Sequence, residues 1–115
     1  MGEFEKAHND LEQVIARTPK FYAARHNLGV LHIKQRRWDE AKQVFEEILE
    51  IDPQDADAHY HLAAVYSNRY GDVNRILHCL QYAVKRDPDH LGARLELGLL
   101  YAKIGTRAHN AVRRQ

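Results

Sequence analysis

The sequence predicts an all-α protein in which one pair of helices is repeated along the chain. The first observation is the spacing of the prolines, since Pro19, Pro53 and Pro88 are 34 and 35 residues apart. A proline disfavours helical backbone angles in the residue before it and donates no intrahelical hydrogen bond, so each one ends a helix. The second observation is that apolar residues between the prolines recur at helical intervals. No run alternates apolar and polar residues between hairpin turns, which argues against strands.

The hydrophobic anchors repeat in the same register as the prolines. Equivalent positions hold Leu28, Leu62 and Leu97, and likewise Leu11, Phe45 and Leu80. We therefore divide the chain into the second helix of a partial unit (1–21), a full unit (22–55), a full unit with one extra residue (56–90) and a partial unit (91–115). Tyr66 keeps the first register and Leu80 does not, so the extra residue is predicted within 67–71, where a longer turn does not rotate a buried face.

The residues of the first full unit carry a family resemblance. Its first helix contains Leu28-Gly29-Val30-Leu31-His32, its second contains Ala41-Lys42-Gln43-Val44-Phe45, and Pro53 closes it. This pattern resembles the tetratricopeptide repeat, a helix–turn–helix unit of about 34 residues. Leu62, Ala63, Tyr66 and Pro88 fill the same places in the next unit, and Leu97, Gly98 and Tyr101 open another. The resemblance implies a right-handed α-solenoid of antiparallel helix pairs, with about six helices and a short C-terminal helical turn.

Two departures from the pattern, and one position that follows it, carry structural expectations. Ile76 stands where the family has a small residue, so we expect it to loosen the second helix pair. Arg36 occupies the turn position that is Gly71 in the next unit, which predicts a strained positive φ at an arginine. Gly105 is at the same position in the last unit, so a turn is predicted there.

Composition and charge exclude several classes of function. Lys and Arg number 17 against 16 Asp and Glu, so no broad field attracts nucleic acid or an anionic membrane. One Cys excludes an internal disulfide framework and a multi-Cys zinc site. No apolar stretch reaches the length of a membrane span, and the acidic, amphipathic N-terminus is unlike a secretory signal. We expect a soluble, cytoplasmic chain without membrane insertion.

The search for reactive groups gives no enzyme prediction. Eight histidines are the only excess, and His59 and His61 point about 200° apart on a helix, so they do not share a metal. His26 and His61 are close enough in neighbouring units to approach each other, yet a metal site needs further ligands. Cys79 is predicted to be a packed thiol, because adjacent helical residues diverge and His78 is no base for it. No catalytic residue, metal site or cofactor is predicted.

The family resemblance also implies a concave groove lined by the first helix of each unit. The candidate groove residues are His26, Asn27, Val30, Ile33, Tyr60, His61, Ala64, Asn68, Leu95 and Leu99. Members that grip a terminal carboxylate use Lys, Asn and Arg at places that here hold His26, Val30, Asn27, His61, Gly92 and Glu96, and only Asn27 fits. The apolar groove therefore favours an amphipathic helix or an apolar peptide, with Tyr60 as the main anchor.

Three functions follow, in order of preference. The first is a non-catalytic interaction scaffold that holds a protein or peptide partner in the groove. The second is self-assembly into a homo-oligomer, because the terminal helices lack the polar faces that cap a solenoid. The third is weak nucleic-acid contact through the tail residues Arg107, Arg113 and Arg114.

Overall fold

The described residues form six α-helices, and a short π-helix extends the fourth. The computed structural model describes residues 2–17 and 22–113, with side chains described up to residue 105. The helices are α1 (Glu3–Arg17), α2 (Tyr22–Lys34), α3 (Trp38–Ile51), α4 (Ala56–Val65), α5 (Val73–Arg86) and α6 (Leu91–Arg113), and the π-helix is Tyr66–Tyr70. No strand occurs in these ranges, and the helices pack as antiparallel pairs in a right-handed α-solenoid. The predicted fold class is confirmed.

The Asp-Pro dipeptides end the second helix of each full unit, as the proline spacing predicted. The N–H groups of Asp52 and Asp87 close α3 and α5 by donating to carbonyls four residues earlier, at 2.8 and 2.9 Å. Each aspartate carboxylate then accepts the N–H two residues further on, at 3.1 and 3.2 Å. These side chains supply the turn that Pro53 and Pro88 make necessary.

Two other aspartates fix the helix starts. The carboxylate of Asp55 accepts the N–H of Ala58 at 3.0 Å, and that of Asp72 accepts the N–H of Arg75 at 3.2 Å. Each bond satisfies an N–H group that has no partner inside its helix, which contributes about 1 kcal/mol to the stability of a helix. The starts of α4 and α5 are therefore encoded locally.

The core lies between the two full units. Phe45, Ile48 and Val65 are its largest fully buried side chains. Gly29 allows α2 to approach α3, because a Cβ at Gly29 would stand 2.5 Å from Cζ of Phe45. The small residue of the repeat is thus required by contact with the neighbouring helix.

The π-helix overlaps the stretch 67–71, where the sequence predicts an extra residue. The N–H of Gly71 donates to the carbonyl of Tyr66 at 2.7 Å, a separation of five residues instead of the four of an α-helix. Gly71 then reverses the chain with φ of 65°, and Arg36 does so in the preceding unit with φ of 58°. The predicted positive φ at Arg36 is confirmed, and α3 and α5 begin at equivalent positions, Trp38 and Val73, that are 35 residues apart.

The expectations for Gly105 and Ile76 are wrong. No turn occurs at Gly105, since α6 runs without a break from Leu91 to Arg113. A single glycine inside a helix costs only about 1 kcal/mol, and in the described residues no later helix packs on α6 to favour a reversal. Ile76 does not loosen its pair either: α4 packs against α5 as closely as α2 against α3. Its half-buried side chain faces a cavity beside α6. Among the described helices, none has the length and hydropathy to cross a membrane.

Candidate functional site

An open cavity of about 510 Å³ lies between α4, α5 and α6. Four predicted groove residues are in its wall: Tyr60, Ala64, Asn68 and Leu99. Most of the remaining wall is apolar, and Glu96 and Lys103 bring one charge of each sign from α6. Ligand sites of this size are typically apolar with a few polar groups that fix orientation, and this cavity has that character.

The second helix α5 contributes Val73, Ile76 and Leu80 to the cavity wall. These residues were not among the predicted groove residues, because the groove was assigned to first helices alone. The sequence did contain a signal for Ile76. A large apolar residue stands there in place of a small one, and it adds apolar surface that the pair α4 and α5 does not cover.

The groove residues on α2 are partly engaged in packing. Val30 and Ile33 are half-buried against the core, and Asn27 is exposed. His26 Nε2 lies 2.9 Å from a carboxylate oxygen of Asp55, the residue that caps the start of α4. Burial acts to raise the pKa of Asp55, but hydrogen bonds from His26 and a backbone N–H outweigh it and lower the pKa. Of these four residues, Asn27 is the most accessible to a ligand.

Tyr60 joins the second full unit to α6. A Cβ at Gly92 would stand 2.9 Å from Cζ of Tyr60, and the ring centroid of Tyr60 is 4.7 Å from that of His90. The half-buried ring therefore packs between units as well as lining the cavity. The role of Tyr60 as a peptide anchor stays a prediction.

His90 is held by hydrogen bonds on both ring nitrogens. Its Nδ1 accepts the N–H of Ala93 at 3.1 Å, and its Nε2 lies 2.8 Å from Oδ1 of Asp57. A nitrogen that accepts carries no proton, so Nε2 is the protonated nitrogen that donates to Asp57. His90 consequently caps α6 and ties it to α4.

His61 lies between the ring of Phe45 and that of His26 in the preceding unit. Its ring stacks on Phe45 with centroids 5.1 Å apart, and its centroid is 6.2 Å from that of His26, as their spacing predicted. Burial, followed by the neighbouring His26, lowers the pKa of His61 and favours the neutral ring. No group of three metal-ligating side chains occurs in the described part of the chain.

Three of the four remaining groove residues, Asn68, Leu95 and Leu99, are exposed, and Ala64 is half-buried. The amide of Asn68 donates to the carbonyl of Ala64 at 2.7 Å and is exposed. Leu95 and Leu99 are 63% and 59% exposed on α6. The structure thus brings Ala64, Asn68 and Leu99 together at the cavity, whereas the α2 residues lie one unit away.

The stacked helix pairs and their open groove define the class of α-solenoid repeat proteins. The family model of the tetratricopeptide repeat matches residues 1–66 and 34–75. The chain belongs to the tetratricopeptide repeat family, as its motifs predicted. Proteins built from this repeat generally act as non-catalytic protein-interaction modules.

Solved structures share the fold at low sequence identity. MamA (41-end) from Desulfovibrio magneticus RS-1 is 23% identical with a TM-score of 0.74, over 96% of this chain and 62% of that chain. A tetratricopeptide repeat protein from Parabacteroides merdae is 22% identical with a TM-score of 0.76, over 90% of this chain and 41% of that one. The chain therefore spans less than two thirds of either protein. No curated protein sequence matches it.

Proposed function

We propose that this chain is a non-catalytic scaffold that holds a short apolar peptide, or one face of an amphipathic helix, in the cavity between α4, α5 and α6. The observation that carries the proposal is the position of Leu99, an exposed leucine at an apolar cavity of about 510 Å³. Apolar anchors that enter such a cavity gain most of their affinity from desolvation, and the flanking polar groups set direction.

The cavity edge favours a partner with polar groups beside its apolar anchors. Asn68, Glu96 and Lys103 offer an amide and charges of both signs, which pair with main-chain or side-chain groups of a peptide. The set lacks a cluster of cations, so we infer that an internal segment binds rather than a terminal carboxylate.

The division into units belongs to the same proposal. We infer a partial unit at 1–21, full units at 22–55 and 56–90, and a partial unit at 91–115, with the peptide at the junction of the last two. The other groove candidates, His26, Asn27, Val30, Ile33, His61 and Leu95, extend the contact surface beyond the cavity.

A displayed library of short peptides, selected on the wild-type chain, tests the groove. Ala64→Arg fills the cavity, and we expect it to weaken the selected peptide at least tenfold, about 1.4 kcal/mol. Ala16→Arg places the same side chain at an exposed position of α1 and serves as the matched control. Leu99→Ser is a second groove variant, with little effect on folding because Leu99 is exposed. Equal binding by the wild type and both groove variants would refute the proposal.

Self-assembly is the second candidate function, and the exposed apolar residues of α6 favour it. Leu91, Leu95, Leu99 and Tyr101 are between 49% and 78% exposed. Nucleic-acid contact ranks third and remains a prediction from the sequence, because the side chains of Arg107, Arg113 and Arg114 lie outside those described.

A further inference from the structure

One face of α6 has no covering helix among the described residues. The equivalent faces of α2 and α4, the first helices of the two full units, are each covered by a helix. Gly29 and Ala63 are buried, whereas the corresponding Gly98 is exposed and a Cβ there would meet nothing within 4 Å. His32 and Tyr66 are 5% and 7% exposed, whereas the corresponding Tyr101 is 49% exposed. In each full unit the second helix provides the cover, as the ring of Phe45 does against Gly29. We call the surface of Gly98 and Tyr101 the open α6 face.

The helix α1 lacks the opposite partner: among the described residues, no first helix of its own unit packs on it. Its residues Phe4, Ala7 and Leu11 correspond in register to Trp38, Ala41 and Phe45 of α3. Ala41 and Phe45 are fully buried, whereas Ala7 and Leu11 are half-buried, Phe4 is 47% exposed, and α1 contains no buried residue. α1 is therefore a second-type helix whose first-type partner is missing from the described residues.

We propose that α1 of a second copy of this chain docks on the open α6 face, in the way that α3 packs on α2 within one copy. Leu11 of one copy then lies against Gly98 of the other, as Phe45 lies against Gly29. The contact is heterologous, so it leaves a free α1 and a free α6 at the two ends and allows further copies to add. This inference rests on the self-assembly candidate and is independent of the peptide groove.

The opposite net charges of α1 and α6 favour α1 of a second copy as the helix that covers the open α6 face. Within each full unit the paired helices have opposite charge: α2 has two bases and no acid against five acids and one base in α3, and α4 has one acid against three bases in α5. The proposed pair follows the same rule, because α1 has four acids and two bases, whereas α6 has two bases and one acid over the residues whose side chains are described, 91–105. Two α6 helices facing each other would repel, which disfavours a symmetric dimer through this face.

Sedimentation velocity on the whole chain over a wide concentration range tests the docking. We expect the average mass of the wild type to rise above the 13.4 kDa of one chain and to fall again in high salt. Gly98→Arg blocks the open α6 face at a site where a Cβ meets nothing within 4 Å, and Leu11→Arg blocks α1. Each variant alone should remain monomeric. Phe4→Arg, at an exposed site, is the second α1 variant if Leu11→Arg loses helicity.

Mixing the blocked variants gives the decisive result. The Gly98→Arg chain keeps an unblocked α1, and the Leu11→Arg chain keeps an unblocked α6. An equimolar mixture should therefore form a dimer, and it should grow no further because both remaining surfaces are blocked. Asn74→Arg, at an exposed position of α5, is the matched control and should associate like the wild type.

Three outcomes would overturn the docking: a monomeric wild type at the highest concentration, association that survives Gly98→Arg, or blocked variants that do not combine. Peptide binding separates the two proposals, because Gly98→Arg should keep the selected peptide and Ala64→Arg should keep self-association.

Discussion

The imidazole rings of His8 and His32 meet edge to face across the junction of α1 and α2, with centroids 5.6 Å apart. His32 is 5% exposed, and its Nδ1 is buried without a hydrogen-bond partner. Burial, with His8 as the next cause, lowers the pKa of His32 below its ordinary 6.5. Glu12 of α1, Glu40 of α3 and Arg37 also act on this ring, and the two glutamates oppose the shift.

We predict that the chain loses stability as the pH falls below 6.5. The pKa values of His32 and His61 are both lowered in the folded chain. Below pH 6.5 the unfolded chain therefore binds more protons than the folded chain does. The free energy of unfolding therefore decreases until the pH reaches the lowered folded values. Urea unfolding at a series of pH values measures the slope.

His32→Tyr should make this slope shallower, because tyrosine occupies the equivalent positions 66 and 101 and stays neutral in this range. His78→Gln, at an exposed site of α5, is the control and should leave the slope unchanged. An equal slope in all three proteins would show that His32 does not couple protons to folding.

Alanine at two glycines of the same repeat position should have opposite effects. Gly29→Ala forces a methyl against the fully buried Phe45 and should destabilise the chain by about 1–3 kcal/mol. Gly98→Ala meets nothing within 4 Å and should stabilise α6 by about 0.5–1 kcal/mol. Urea unfolding at low protein concentration measures both. A destabilised Gly98→Ala chain would contradict the open α6 face.

The two left-handed residues allow a reciprocal exchange. Arg36→Gly should stabilise the chain by about 1 kcal/mol, since glycine adopts φ of 58° without the steric penalty of an arginine Cβ. Gly71→Ala should destabilise it by a similar amount, because φ there is 65°. Thermal unfolding of both variants tests the pair, and a neutral Arg36→Gly would indicate a rearranged turn.

Cys79 should resist alkylation in the folded chain. The thiol belongs to a residue that is 4% exposed, and burial raises its pKa to about 11, so little thiolate exists near neutral pH. We expect iodoacetamide to label it at the rate of local opening, with a large acceleration in urea. Rapid labelling without denaturant would show that α5 separates from its neighbours.

The sequence predicted features that depend on local chemistry. Pro53 and Pro88 mark helix ends because a proline restricts the residue before it, and Arg36 was identified because its counterpart is glycine. The extra residue was predicted within 67–71, and the π-helix Tyr66–Tyr70 lies at that place. Each of these features depends on interactions between residues only a few positions apart, so the sequence alone is sufficient to predict it.

Features that depend on contacts between units could not be predicted in the same way. The turn expected at Gly105 is replaced by continuous helix, because chain reversal there depends on a partner helix and not on one glycine. Tyr60 lies in the predicted groove, yet its packing against Gly92 is set by the position of α6. The wall formed by Ile76 was missed because a periodic pattern does not reveal how far neighbouring helices stand apart.

The π-helix at Tyr66–Tyr70 also indicates where this chain tolerates insertions and deletions during evolution. Its hydrogen bond encloses one residue more than that of an α-helix, at a helix end where residues 67–70 are exposed, and the apolar residues before and after it still face the core. An insertion or deletion of one codon at this helix end therefore changes the length of the protein without putting its interior out of phase. Natural length variants of the chain should gather at this helix end, and the buried stretches around Phe45 and Leu80 should keep a constant length.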